Sequence, residues 1–138
     1  KPTYFDIHKN QIPGVAPGDE VHNVPPELEA LYREARNSVS VGANTASVLT
    51  CRKLLMNIAV TQGAEAGKSF ISYVEYLANH GYVPPNGKGW VDHIRKKGNE
   101  ATHEIALMQQ SDAEELISFA EMLLKFIYEF PAKIPKTP

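Results

Sequence analysis

Between Ala43 and Gln62 the chain is apolar on almost every side of a would-be helix. Ala46, Val48, Leu49, Cys51, Leu54, Leu55, Met56, Ile58, Ala59 and Val60 fill the stretch, and its only charges are Arg52 and Lys53. A helix apolar all round has no face to offer water and needs neighbours on several sides. This constrains the fold more than any other feature, because the remaining helices must surround this one.

The flanking sequence supplies those neighbours. Pro25-Pro26 opens a helix to about Val41, with proline suited to a first helical position. Leu28, Leu31, Tyr32, Ala35 and Val39 form its apolar face, and Gly42 stops it. After Gly63–Gly67, a third helix runs from Ser69, a natural N-cap, to His80, with Gly81 as its stop. Pro84–Gly89 reads as a loop. A fourth helix opens near Trp90, weakens at Gly98-Asn99, and resumes through His103, ending before Ser111. Ser111-Asp-Ala-Glu114 has the form of a capping box for a last helix, which Pro131 closes. The first 24 residues, broken by Pro2, Pro13, Gly14, Pro17 and Gly18, hold no period and read as an irregular arm that wraps the domain or links it to something upstream. The expectation is an all-α antiparallel bundle of about five helices over residues 25–131, with an N-terminal arm (1–24), a tail (132–138) and no strand.

Composition narrows the function classes. The 138 residues suit one domain. A net charge of −2 argues against a surface that is basic throughout. Residues 88–103 nevertheless carry Lys88, Arg95, Lys96 and Lys97 against Asp92 and Glu100, a local positive surplus. A single cysteine, Cys51, allows no internal disulfide and fits a reducing, cytoplasmic compartment. No apolar run is long enough for a membrane span, and no signal peptide is visible. The chain starts at Lys1 rather than Met, as a piece of a longer reading frame would.

The strongest chemical pattern is Arg95, Asn99 and His103, spaced four apart. On one helix such positions share a face. A guanidinium, an amide and an imidazole can together hold an anion and move a proton; a solvated helix face is the plain alternative. Gly63-Ala-Glu-Ala-Gly67-Lys68-Ser69 imitates a phosphate-binding loop but has three residues between its glycines where four are needed, and a helix precedes it where a strand should. It reads as a helix-to-helix loop. His8, His22, His80, His93 and His103 show no metal-binding spacing, so neither a metal nor another cofactor is expected. Arg52, on an apolar helix, should be half-buried and needs a partner; Glu34 on the preceding helix is the candidate for an internal ion pair.

Four pieces together resemble a known family: Pro26 followed by Leu31-Tyr-Arg-Glu-Ala35; Ala46-Ser-Val-Leu-Thr-Cys-Arg-Lys-Leu-Leu55; Ile94-Arg-Lys-Lys-Gly-Asn-Glu-Ala-Thr-His103; and Ser111-Asp-Ala-Glu114 with Ile127-Tyr-Glu-Phe-Pro131. In this order they are similar to the domain of unknown function 4145 family of bacteria and phages, over residues 25–131. That family looks like a branch of the HEPN superfamily of helical, nucleic-acid-associated domains, which often accompany defence proteins. The resemblance implies a homodimer, an RNA partner, and in some members a zinc ribbon or effector domain upstream. Active HEPN members are metal-independent endoribonucleases that use an arginine and a histidine. Carried over, these would be Arg95 and His103. Seven residues separate them here, more than in the active members' motif. Lys96 or Lys97 fits the distance but lacks the bidentate geometry of arginine.

Two readings follow. In the first, the domain dimerises and presents Lys88, Arg95, Lys96, Lys97, Asn99 and His103 to RNA or another polyanion. In the second, it cleaves RNA: His103 is the general acid–base, Arg95 stabilises phosphorane charge, and Asn99 orients the phosphate. The spacing and the acidic pI of about 6.2 favour binding. A purely structural dimerisation domain is the third, plainest reading.

Overall fold

The computed structural model describes residues 4–5, 11–12, 14–103 and 108–135, with side chains for 14–96 and 108–135. Five helices form its body: α1 (Pro26–Ser40), α2 (Asn44–Thr61), α3 (Phe70–Asn79), α4 (Lys88–His103) and α5 (Gln110–Leu124). The all-α expectation holds for that body. The arm carries one exception, a short antiparallel pair of strands, β1 (Tyr4–Phe5) and β2 (Gln11–Ile12), in the register Tyr4–Ile12 and Phe5–Gln11. Two residues per strand leave too little alternation to detect in a sequence.

As its composition requires, α2 sits in the middle. Its Val48, Cys51, Leu54, Leu55, Ile58 and Ala59 are buried, against Leu28, Tyr32 and Ala35 of α1, Tyr73, Val74 and Leu77 of α3, and Ile117, Ala120 and Leu123 of α5. Burial pushes the Cys51 thiol up to about 12. Buried Ser47 donates its hydroxyl to the Ala35 carbonyl at 2.7 Å, a polar contact between α1 and α2.

The helix directions depart from an all-antiparallel bundle. α1 and α2 are antiparallel, joined by a tight turn. α4 and α5 are antiparallel too, since His93 meets Glu115 and Trp90 meets Phe119. But α2 and α5 run the same way. At one end the Met108 amide donates to Thr45 Oγ1; at the other, the Gln62 amide donates to Tyr128 Oη. α3 also follows the direction of α2, with Phe70 beside Arg52 and Tyr76 beside Gln62. The connection 62–69 must therefore travel back along the bundle. Two tyrosines pin it there: Tyr76 Oη donates to the Gln62 carbonyl, and Tyr73 Oη donates to the Glu65 carbonyl while accepting from the Lys68 amide. A glycine-broken stretch of this length gave no sign of its direction.

Helix ends follow local chemistry. Ser69 caps α3 as expected, its hydroxyl accepting the Ser72 amide at 3.2 Å. α4 begins earlier than Trp90, because Pro85–Gly87 forms a 3-10 turn that leads straight into Lys88. Gly98 does not interrupt α4. The capping box of α5 uses Gln109 and Asp112, two residues ahead of the Ser111 expectation, with the Gln109 amide donating to Asp112 Oδ2 at 2.9 Å. Pro131 does not close α5 directly: a π-helical turn at Lys125–Glu129 comes first, and Phe130–Ala132 adds one more helical turn. A wider turn ahead of Pro131 relieves the clash its ring would otherwise make with the preceding turn.

Residues 14–24 wrap the bundle as a strap. Tyr32 Oη, from α1, donates to the Asp19 carbonyl at 2.6 Å. Arg36 donates to the carbonyls of Pro17 and Gly18. From the far end of the chain, Glu121 accepts the Asp19 amide and Glu129 accepts the His22 amide. The strap thus ties the first helix to the last. Val21 and Val24 on it are buried.

Candidate functional site

α4 carries the residues singled out by their spacing. Val91 and Ile94 are buried and fix its inner face, so the polar positions between them turn outward. Positions four apart drift about 40° each along a continuous helix, so 95, 99 and 103 span about 80° of one face. That α4 is one uninterrupted helix from Lys88 to His103 meets the first requirement for such a stripe. The side chains of Lys97, Asn99 and His103 lie outside the described residues, so convergence of the three is not observed.

Lys88 and Arg95 do come together. They border a cleft of about 260 Å³ where the end of α3 meets the start of α4, with Val83, Pro84, Val91 and Asp92 around it. Lys96, next to Arg95, is exposed and does not line this cleft.

Arg95 is not a free cation. Its Nε lies 3.3 Å from Glu75 of α3, and its Nη1 lies 3.4 Å from Asp92 one turn earlier. The Nε–H is buried and makes no well-directed hydrogen bond, although Glu75 is within ion-pair reach. Two carboxylates thus hold the guanidinium and offset its charge. Asp92 is readable from the sequence as an i, i+3 partner. Glu75 is not, since only the packing of α3 on α4 brings it near. Sequence reasoning also missed His93, whose Nε2 lies 2.8 Å from Glu115 and ties α4 to α5.

The expected Glu34–Arg52 ion pair does not form. Arg52 is half-buried as anticipated, but its guanidinium lies over the Phe70 ring, 4.7 Å from the centroid. Desolvation there lowers its pKa from the ordinary arginine value. Glu34 is exposed on α1, and among the described residues its side chain has no ion-pair partner. An aromatic face satisfies a cation without a second buried charge.

Among the described residues, no three His, Cys, Asp or Glu side chains gather as a metal site would require. No described helix is long and apolar enough to cross a membrane. The chain finds no match among curated proteins or solved structures. The profile of one family, described as a domain of unknown function (DUF4145), matches residues 33–137, which include all five helices but the first turns of α1. With most of its length so matched, the chain belongs to the domain of unknown function 4145 family.

Proposed function

We propose that this domain is an HEPN-like helical module that binds RNA or another polyanion along the outer face of α4, and that it does so as a homodimer in a cytoplasmic, defence-type setting. The observation that carries the reading is the continuity of α4 through Gly98, which keeps positions 95, 99 and 103 on one helix face beside Lys88 and Lys96. The carboxylates on Arg95 shape what to expect. A phosphate must compete with Glu75 and Asp92, so binding is modest and falls with added salt as counterions are released. The dimer reading draws support from Phe126, Phe130 and Ile134. The Phe126 and Phe130 rings meet edge to face at 5.5 Å, and the three side chains are 48%, 44% and 68% exposed, apolar surface that another copy would cover.

The test is binding of labelled single-stranded RNA over a salt series, with cleavage followed in EDTA. Wild-type protein binds at low salt, and Arg95→Ala and His103→Ala weaken binding together. Glu75→Gln, which removes one of the two carboxylates on Arg95, strengthens it. Cleavage that disappears in His103→Ala would extend the role to a metal-independent endoribonuclease. Absence of RNA binding even at low salt overturns the reading and leaves a structural module. Light scattering checks the dimer, and a monomer at high concentration removes that part.

A further inference from the structure

The chain has four arginines, and two of them meet carboxylates in the structure. Arg33 meets Glu29 at 3.2 Å, Arg95 is held by Glu75 and Asp92, and Arg52 lies over Phe70. Arg36 differs. Its Nε donates to the Pro17 carbonyl at 2.7 Å and its Nη2 to the Gly18 carbonyl at 2.9 Å. The Tyr32 ring supports the guanidinium from below, 5.5 Å from centroid to Cζ. Among the described residues no carboxylate pairs with it. Two neutral carbonyls fix its orientation without neutralising its charge. Among the described residues its Nη1 edge makes no hydrogen bond.

That guanidinium borders a cleft of about 490 Å³ between the strap and α1, whose polar lining includes Glu20, His22, Asn23, Glu29, Arg33, Arg36 and Asn37. Arg33 and Arg36 are three apart on α1 and so lie on neighbouring turns of one face. Of the two carboxylates at the cleft, Glu29 is already committed to Arg33, and Glu20 stands on the strap opposite α1. Asn23 holds a left-handed backbone conformation, φ +60°. A pre-positioned, unneutralised guanidinium with a second arginine and an imidazole beside it fits an oxyanion with several acceptor oxygens. The volume is several times that of a phosphate group. The amides of Asn23 and Asn37 and the carboxylate of Glu20 are suited to hydroxyl groups on an attached body.

We infer that the strap–α1 cleft is a phosphate-binding site, with Arg36 as its fixed anchor, Arg33 and His22 as flanking donors, and room for the hydroxylated body of a phosphate monoester. It is separate from the α4 face and does not depend on RNA binding there. Because one wall is the strap and the other is α1, an occupant would also fasten the strap to the bundle.

The experiment is a titration of ¹⁵N-labelled protein with inorganic phosphate, ribose 5-phosphate and ribose at constant ionic strength. Both phosphates should produce saturable shifts at His22, Asn23, Arg33 and Asn37, with affinity roughly millimolar or tighter. Ribose 5-phosphate binding tighter than phosphate identifies an ester as the ligand, and equal affinity identifies the free ion; either sustains the site. Arg36→Gln abolishes the shifts while the α3–α5 resonances stay in place. Since Arg36 also holds the strap, Arg33→Gln gives an independent reading. It should weaken binding roughly tenfold, as loss of one charge-assisted hydrogen bond does. No saturable shift in wild type, or affinity unchanged in Arg33→Gln, overturns the assignment.

Discussion

Gly18 and Gly42 offer a matched pair for testing how tightly the strap is seated. Both have φ +78°, so replacing either with alanine imposes the same left-handed backbone cost, about 1–2 kcal/mol. The same substitution restricts the unfolded chain equally at both sites and returns about 0.4–1 kcal/mol. The surroundings differ. A Cβ at Gly42 meets nothing within 4 Å. At Gly18 it comes within 2.8 Å of Tyr32 Oη, 3.0 Å of Glu121 Oε1 and 3.2 Å of Ile117 Cγ2. The Glu121 carboxylate is held by the Asp19 amide and Lys125, and the Tyr32 ring is buried with its hydroxyl committed to Asp19. Overpacking of this kind costs about 1–3 kcal/mol. Gly42→Ala should therefore lose about 1 kcal/mol and Gly18→Ala about 1–3 kcal/mol more. Urea denaturation followed by circular dichroism measures both, with the slope checked for constancy. In a Tyr32→Phe background the nearest clashing atom is gone, and the excess penalty at Gly18 should shrink. Equal losses at the two glycines would refute the seating of the strap against Tyr32.

Three further outcomes follow from the packing. In double-mutant cycles, Arg52 and Phe70 should couple by about 0.5–1 kcal/mol, whereas Arg52 and Glu34 should be additive within about 0.3–0.5 kcal/mol; urea midpoints decide between them. The Cys51 thiol should resist a thiol reagent at pH 8 in native protein and react only as fast as the fold opens, since it is fully buried and its pKa is pushed up to about 12. Stability should also fall in acid through Glu129. The His22 amide, aided by Lys133, holds its carboxyl below the usual carboxylate range. The depressed pKa means the contribution is present above the unfolded value and lost as pH falls through the folded one. Glu129→Gln should flatten that acid limb in a pH series of urea melts.

The helices were legible because their signals are local. The apolar girth of α2 announced a central helix, and Leu28, Tyr32, Ala35 and Val39 marked the face of α1 that would meet it. Ser69 announced its cap. What escaped depended on contacts between distant residues. The common direction of α2 and α5 rests on pairs such as Thr45 with Met108, and the grip on Arg95 rests on Glu75, two elements that no spacing relates. The Arg52–Glu34 expectation fails for a chemical reason: a cation on an apolar helix can be met by an aromatic face as well as by a carboxylate, and no spacing relates Arg52 to Phe70. The candidate stripe was legible as a register along α4. Its chemistry was not, because Arg95 is shared with neighbouring acids.

The strap sets an order on the birth of the molecule. Its anchors Asp19 and His22 leave the ribosome well before their partners Glu121 and Glu129, which lie 102 and 107 residues further along. Closing so large a loop carries an entropy cost that local helix formation does not. The early α1–α2 hairpin can assemble as soon as both helices are made, while the amides of the strap wait in water for carboxylates not yet synthesised. Seating of the strap is therefore tied to synthesis of α5 and the turn after it, and a nascent protein stalled short of Glu121 holds residues 17–22 by α1 alone.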